Sequence, residues 1–319
     1  MNDIILSIVI CTYNRAELAA TALLSVLDAI EKYDQVEAVV VDNNSTDTTA
    51  HTIKNLIADK PNARYVFEPA QGLSHARNRG AATAVGTYVG YIDDECIVDD
   101  KWLDAALAVI ENQQPAVFGG PYGPWYQGQK PAWFKDKYGS SNKRKSVAGA
   151  LGPTEFISGG NFFVERKRIK EMGGFNPELG MSGNKISYGE ETDFQIRLRK
   201  KDPAALVYFD PGVFLRHLVR PEKLDLWHIA RLRFANGRVS AQIFARDKVV
   251  TLRSRGAAIG RCASFSGLIG LSALKGLVWR DRQTYPTFRN YFFEVIGIQI
   301  ARFGSAWETA VGAGGHRES

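Results

Sequence analysis

From Ile4 to Phe118 the chain alternates short runs rich in Val and Ile with segments of helical periodicity. Ile4–Ile10, Ala38–Val41, Tyr65–Phe67, Tyr88–Ile92 and Ala116–Phe118 read as buried strands. Arg15–Tyr33, Thr46–Ala58, Ser74–Ala84 and Trp102–Ile110 read as helices between them. An unbroken apolar run needs cover on both faces of its sheet, and repeated strand, helix, strand predicts an α/β fold with a mainly parallel sheet and right-handed crossovers. At 319 residues and 45% hydrophobic content, the chain can bury such a core.

Parallel sheets bind ligands beyond the carboxyl ends of their strands. Three polar motifs each follow an apolar run: Thr12-Tyr13-Asn14, Asp42-Asn43-Asn44-Ser45 and Asp93-Asp94-Glu95. All three are therefore expected at one crevice. The adjacent carboxylates of the last motif repel one another unless a cation is present, and Mg2+ or Mn2+ would turn that cost into affinity. A solvated turn or helix cap, helped by Asp99 and Asp100, is the alternative.

Weaker signals follow. Glu190, Glu191 and Asp193 open a helix after Gly189, where a carboxylate serves equally as general base or as cap. Arg77 and Arg79, in QGLSHARNRG near a helix start, suit phosphate or ribose, though Arg79 fits a solvated helix face better. His217 follows an apolar run and reads as packing or as a metal ligand; the other histidines show no partner spacing.

The formal net charge of +6 favours acidic partners such as nucleotide phosphates or anionic lipid headgroups, and no nucleic-acid recognition motif accompanies it. Three scattered cysteines argue against disulfides and structural zinc, and point to a reducing cytoplasm. The opening MNDIILSIVI reads as a strand and not as a signal peptide. Gly119 to Gly152, with Trp125, Tyr126, Trp133, Phe134 and Tyr138, reads as a long binding loop or lid. Regular structure resumes at Glu155–Glu165. After Pro221 the pattern is helical and basic; Cys262–Trp279 is apolar but short for a membrane span, which suits a buried or interfacial helix. Arg253, Arg255, Arg261, Lys275, Trp279, Arg280 and Arg282 would place the tail against a membrane surface on the inner face of the plasma membrane, with homodimer contact or plain packing as alternatives.

The order of the motifs resembles the family 2 glycosyltransferases of GT-A fold over roughly residues 4 to 245, through SIVICTYNR, VVVDNNSTDTT, QGLSHARNRG, YIDDECIVDDKWL, FISGGNFFVERKRIKEMGGFNPEL, YGEETDFQIRLRKK and LRHLVRPEK. The later segments look most like bacterial members that build cell-surface polysaccharides. The resemblance implies a GT-A catalytic domain at 1–248, with a donor half to about 118 and an acceptor half beyond it, and a helical basic extension at 249–319. It implies transfer of one sugar, with inversion, from a nucleotide sugar, a UDP-sugar being favoured, to a glycan or lipid-linked acceptor. Thr12, Tyr13, Asn14, Asp42, Asn43, Arg77, Asp93 and Asp94 would surround the donor. Glu95 would hold Mg2+ or Mn2+, with His217 and Asp93. Glu191, or else Glu190, would be the base. Gly159, Gly160 and Asn161, with Trp125 and Trp133 of the loop, would line the acceptor side.

Asn43, Glu95 and Glu191 stand where relatives usually carry Asp. A sugar nucleotidyltransferase would need a Gly-rich basic loop where this chain reads CTYNRAE, and a Rossmann dehydrogenase would need GxGxxG there. The processive-synthase QxxRW motif is absent. A catalytically inactive nucleotide- or carbohydrate-binding relative is the non-enzymatic alternative.

Overall fold

The computed structural model describes residues 3–141, 146–183, 186–244 and 251–312. The chain divides into two compact units. The first comprises residues 1–125, 136–185 and 190–218. It opens with β1 (Leu6–Thr12), α1 (Ala16–Ile30), β2 (Val36–Asp42), α2 (Thr49–Leu56), β3 (Ala63–Phe67), α3 (Leu73–Thr83) and β4 (Tyr88–Asp93). It continues through β5 (Cys96–Ile97), α4 (Asp100–Gln113), β6 (Val117–Gly119), β7 (Tyr122–Trp125), β8 (Gly149–Ala150), β9 (Asn161–Glu165), α5 (Arg166–Glu171), α6 (Glu190–Lys201), β10 (Val207–Phe209) and β11 (Leu215–Leu218).

The main sheet has the order β3-β2-β1-β4-β9-β6-β10-β8. β3, β2, β1 and β4 are mutually parallel, while β9 runs antiparallel between β4 and β6. Alternate side chains of β1 enter different cores. Ile8 and Ile10 pack with Leu23, Val26, Trp102 and Phe163, and Val9 packs with Val41, Ala76, Phe162 and Phe194. Cover on both faces explains why the strands read as continuous apolar runs. Phe118 stacks on Phe163 at 4.5 Å, locking β6 to β9.

The segment expected as one long loop contains β7 and β8. β7 pairs in parallel with β11, and β5 pairs antiparallel on the other side of β11, giving a second three-stranded sheet. Its signal was hidden because Tyr122-Gly123-Pro124-Trp125 has no apolar alternation. Regular structure expected from Glu155 begins at Asn161.

The second unit comprises residues 126–135, 186–189 and 219–319. It contains α7 (Leu226–Phe244), α8 (Leu252–Val278), α9 (Phe288–Tyr291) and α10 (Gly297–Val311). α7 packs along α10 through Phe234 and Phe303, with ring centroids 5.8 Å apart, and Arg238 and Gln242 bond Glu308 at 2.7 and 2.8 Å. The unit that holds these helices takes in residues from 219, where the sequence places the start of the extension at 249. Among the described residues one helix, α8, is long and apolar enough to cross a membrane by length and composition. It buries only Ala258 and Gly276.

Candidate active site

β1, β2 and β4 are adjacent and parallel, with Thr12 opposite Asp42 and Cys11 opposite Asp93, so all three motifs emerge at one sheet edge. Several of their side chains are engaged within the protein. Asp42 is buried and accepts from the Tyr65 hydroxyl at 2.8 Å and from the Ser45 amide at 2.9 Å. Asn43 donates to the carbonyls of Ala70 and Glu68 at 2.6 and 3.3 Å and accepts from Gly72 N at 2.7 Å. Its amide uses donor and acceptor together, which a carboxylate cannot do. Asn14, at φ 51°, accepts from Thr46 N at 2.7 Å. Asp94 accepts from Thr12 and pairs with Arg15, both at 2.8 Å. Burial pushes the Asp94 pKa up, against the pull of Arg15. Of the residues expected around the donor, Asn43 and Asp94 are buried in these contacts, Asn14 is exposed, and Tyr13 and Asp93 keep part of their surface open.

His217 comes from β11, opposite Cys96 of β5, one residue past the acidic triplet. Its Nε2 lies 3.3 Å from Glu95 Oε1 and 3.5 Å from Asp93 Oδ2. Its Nδ1 sits 3.3 Å from the Leu218 carbonyl, so the other ring nitrogen is the one that faces the carboxylates. The thiol of Cys96 belongs to the same cluster, its ligand atom within 4.8 Å of those of Asp93 and His217. Two carboxylates and an imidazole on one edge are donors that suit Mn2+ or Mg2+.

Arg77, expected near the donor ribose or diphosphate, is engaged inside the unit. It is 3% exposed, pairs with Glu190 at 2.8 Å and donates to the Gly159 carbonyl at 3.1 Å. Its guanidinium lies 5.6 Å from the ring centres of both Tyr91 and Phe175, and 4.0 Å from Asp93. Burial works against its charge, and the Glu190 and Glu191 carboxylates outweigh that.

Pairing with Arg77 occupies Glu190 and leaves Glu191 outside that pair. Burial, and then the Glu190 carboxylate, pushes Glu191 up to about 8, against Arg77. Gly159 and Gly160 tie the two clusters together. A Cβ on Gly159 would meet Arg77 at 2.8 Å and the Glu191 carboxyl at 3.2 Å, and one on Gly160 would meet Asp93 at 2.7 Å. The dipeptide lets Arg77, Glu191 and Asp93 close over the backbone.

The other expected acceptor residues divide. Asn161 is fully buried, accepting from Trp102 Nε1 at 3.0 Å and donating to Val213 O at 2.7 Å. Trp125 donates its indole N–H to the Glu95 carbonyl at 3.2 Å. Trp133 belongs to the helical unit, where it packs edge-on to Phe134 at 5.4 Å under the Arg289 guanidinium, and is not open to a sugar ring. Residues that sequence reasoning passed over are Arg15, Cys96 and Tyr122. The first two flank recognised motifs, while Tyr122, whose ring lies 5.2 Å from His217, has no local signal because β7–β11 pairing places it.

Residues 7–173 match the sequence profile described as glycosyl transferase family 2. The chain belongs to that family. It is 25% identical over 276 residues to the succinoglycan biosynthesis protein ExoM of Rhizobium meliloti, covering 83% of this chain and 85% of that one. It is 26% identical over 202 residues to a GalNAc(5)-diNAcBac-PP-undecaprenol beta-1,3-glucosyltransferase of Campylobacter jejuni, covering 61% and 60%. By structure it is similar to S. aureus TarS 1-349 solved with UDP, at a TM-score of 0.53 and 16% identity over 95% and 90% of the two chains. It is also similar to the mannosyltransferase PcManGT of Pyrobaculum calidifontis, solved with GDP-Man and Mn2+, at 0.55 and 16% over 97% and 76%. The fold is therefore that of the GT-A glycosyltransferases.

The raised pKa of Glu191 has a consequence for stability. The folded protein holds a proton that the unfolded chain releases near 4.5, so stability falls as pH rises from there through about 8. Glu191→Gln is expected to melt above the parent at pH 9 and level with it near pH 4, measured by differential scanning calorimetry.

Proposed function

We propose that this family 2 glycosyltransferase moves a single sugar, with inversion, from a nucleotide sugar, a UDP-sugar being favoured, to a hydroxyl of a glycan or lipid-linked acceptor. One observation carries the reading: Arg77 pins Glu190 at 2.8 Å, leaving Glu191 as the second carboxylate of the pair on the edge that also presents Asp93, Glu95 and His217. Names of relatives that act in succinoglycan synthesis and on an undecaprenol-linked glycan support the acceptor class.

In this reading Tyr13 and Asp42 border the nucleoside and Asp93 the ribose. Glu95, His217 and Asp93 would hold Mn2+ or Mg2+, which would supply Lewis-acid neutralisation of the leaving group's charge. Glu191 accepts the proton of the acceptor hydroxyl. The acceptor oxygen bonds the anomeric carbon as its bond to the donor phosphate breaks on the opposite face, and the nucleoside diphosphate leaves.

The protein works at the cytoplasmic face of a membrane, held by α8. From Leu252 to Arg280 there is no acidic residue and there are five basic ones, Arg253, Arg255, Arg261, Lys275 and Arg280. Ile259, Leu268, Leu271 and Leu277 are exposed. Arg261 and Lys275 stand about 21 Å apart along the helix, less than a hydrocarbon core of about 30 Å, which favours lying in the interface over spanning. Anionic headgroups complement this charge.

Glu191→Gln should keep donor binding while transfer falls about 100-fold or more. In the parent, kcat/KM for transfer should rise with pH along a limb near 8, since the carboxylate must be ionised to act. Near-normal turnover in the variant rejects the base. Glu95→Ala should lose the Mn2+-dependent part of UDP affinity in calorimetry, and unchanged binding rejects the metal site. The full chain should co-sediment with vesicles containing phosphatidylglycerol, and Leu268→Asp/Leu271→Asp should stay in the supernatant; equal sedimentation of the two rejects the anchor.

A further inference from the structure

Beside the Gly159-Gly160 strip the first unit contains a cavity of about 180 Å³ lined by Gly120, Tyr122, Ser141, Phe156, Ser158 and Phe209, with Ile157 behind. At roughly 30 Å³ per water it holds about six waters, the bulk of one pyranose ring and not of a disaccharide. Its walls are three aromatic rings and three hydroxyls. Among the described residues no charged side chain lines it, and the Tyr122 hydroxyl bonds with Ser158. Aromatic faces with a few converging hydroxyls suit the C–H and O–H surfaces of a sugar and offer nothing to a phosphate.

Position separates this cavity from the nucleoside end of the donor. Asp42 ends β2, whereas Gly120 and Phe209 follow or end β6 and β10. β2 and β6 stand four strands apart in the sheet, about 19 Å at 4.8 Å per strand. The cavity instead adjoins the carboxylate. Ser158 precedes Gly159, against which Glu191 closes, and the Tyr122 ring faces His217. Its wall is held rigidly to the helix of Glu191. Gln195, one turn along α6 and fully buried, accepts from Ile157 N at 2.8 Å and donates to Ile157 O at 2.9 Å and to Glu191 O at 3.0 Å.

We infer that this cavity receives the terminal residue of the acceptor and selects a single uncharged pyranose over an acidic sugar, turning one ring hydroxyl toward Glu191. The inference rests on the transfer reading above and adds the class of acceptor sugar.

The test is saturation-transfer NMR on the full chain with methyl β-glucoside, methyl β-galactoside, methyl β-glucuronide and inorganic phosphate as probes. At least one neutral glycoside should show ring-proton transfer, and the glucuronide and phosphate none. Phe156→Ala should weaken the neutral glycoside about tenfold, the scale of one aromatic contact. Tyr122→Phe, which keeps the ring, should weaken it less, and Glu191→Gln should retain it. UDP with Mn2+ should raise the melting temperature of Phe156→Ala as much as the parent's, showing a folded donor site. Equal binding of the glucuronide, no signal from either hexoside, or an unchanged Phe156→Ala overturns the pocket. Failure of every nucleotide diphosphate to stabilise the parent would instead reject the transfer reading.

Discussion

The buried pair between Arg77 and Glu190 is the interaction on which the site depends. Both side chains are almost wholly enclosed, and removing one partner of such a pair leaves an uncompensated charge at a cost of about 3–5 kcal/mol. The guanidinium sits against both Tyr91 and Phe175 and reaches Gly159 as well. One cation therefore sets the start of α6, the Gly159-Gly160 strip and the end of β4 relative to one another. It also sorts two neighbouring glutamates: the paired one stays a structural anion, and its charge, after burial, raises the proton affinity of the other.

A second constraint is the parallel pairing of β1, β2 and β4, which delivers three polar motifs to one edge. Delivery does not decide use. Asn43 and Asp94 arrive at the crevice and hold its loops, since a bend crowded with backbone N–H groups must satisfy them somewhere. Asn43 in particular answers a need for donor and acceptor on one side chain.

Much of this was legible beforehand. Val/Ile runs announced the strands because both sheet faces are covered, and the ordered motifs announced the family. The second sheet, the place of Trp133 and the extent of the helical unit were not legible. β5 and β7 are short and lack alternation, Trp133 is claimed by Asn290 and Arg289 from some 150 residues away, and α7 looks like any amphipathic helix until α10 covers it.

The sequence by itself determined the alternating strand order, the common edge of Thr12, Asp42 and Asp93, and the set of carboxylates from which the proposed base and metal ligands are drawn. These follow from periodicity and from motifs contiguous along the chain. Tertiary structure alone decided that Arg77 serves Glu190, that His217 reaches Glu95 and Asp93 through β5–β11 pairing, and that Tyr122, Phe156 and Phe209 enclose one space. Each of these joins residues tens to more than a hundred positions apart, and no local pattern encodes a distance that exists only once the sheets have closed.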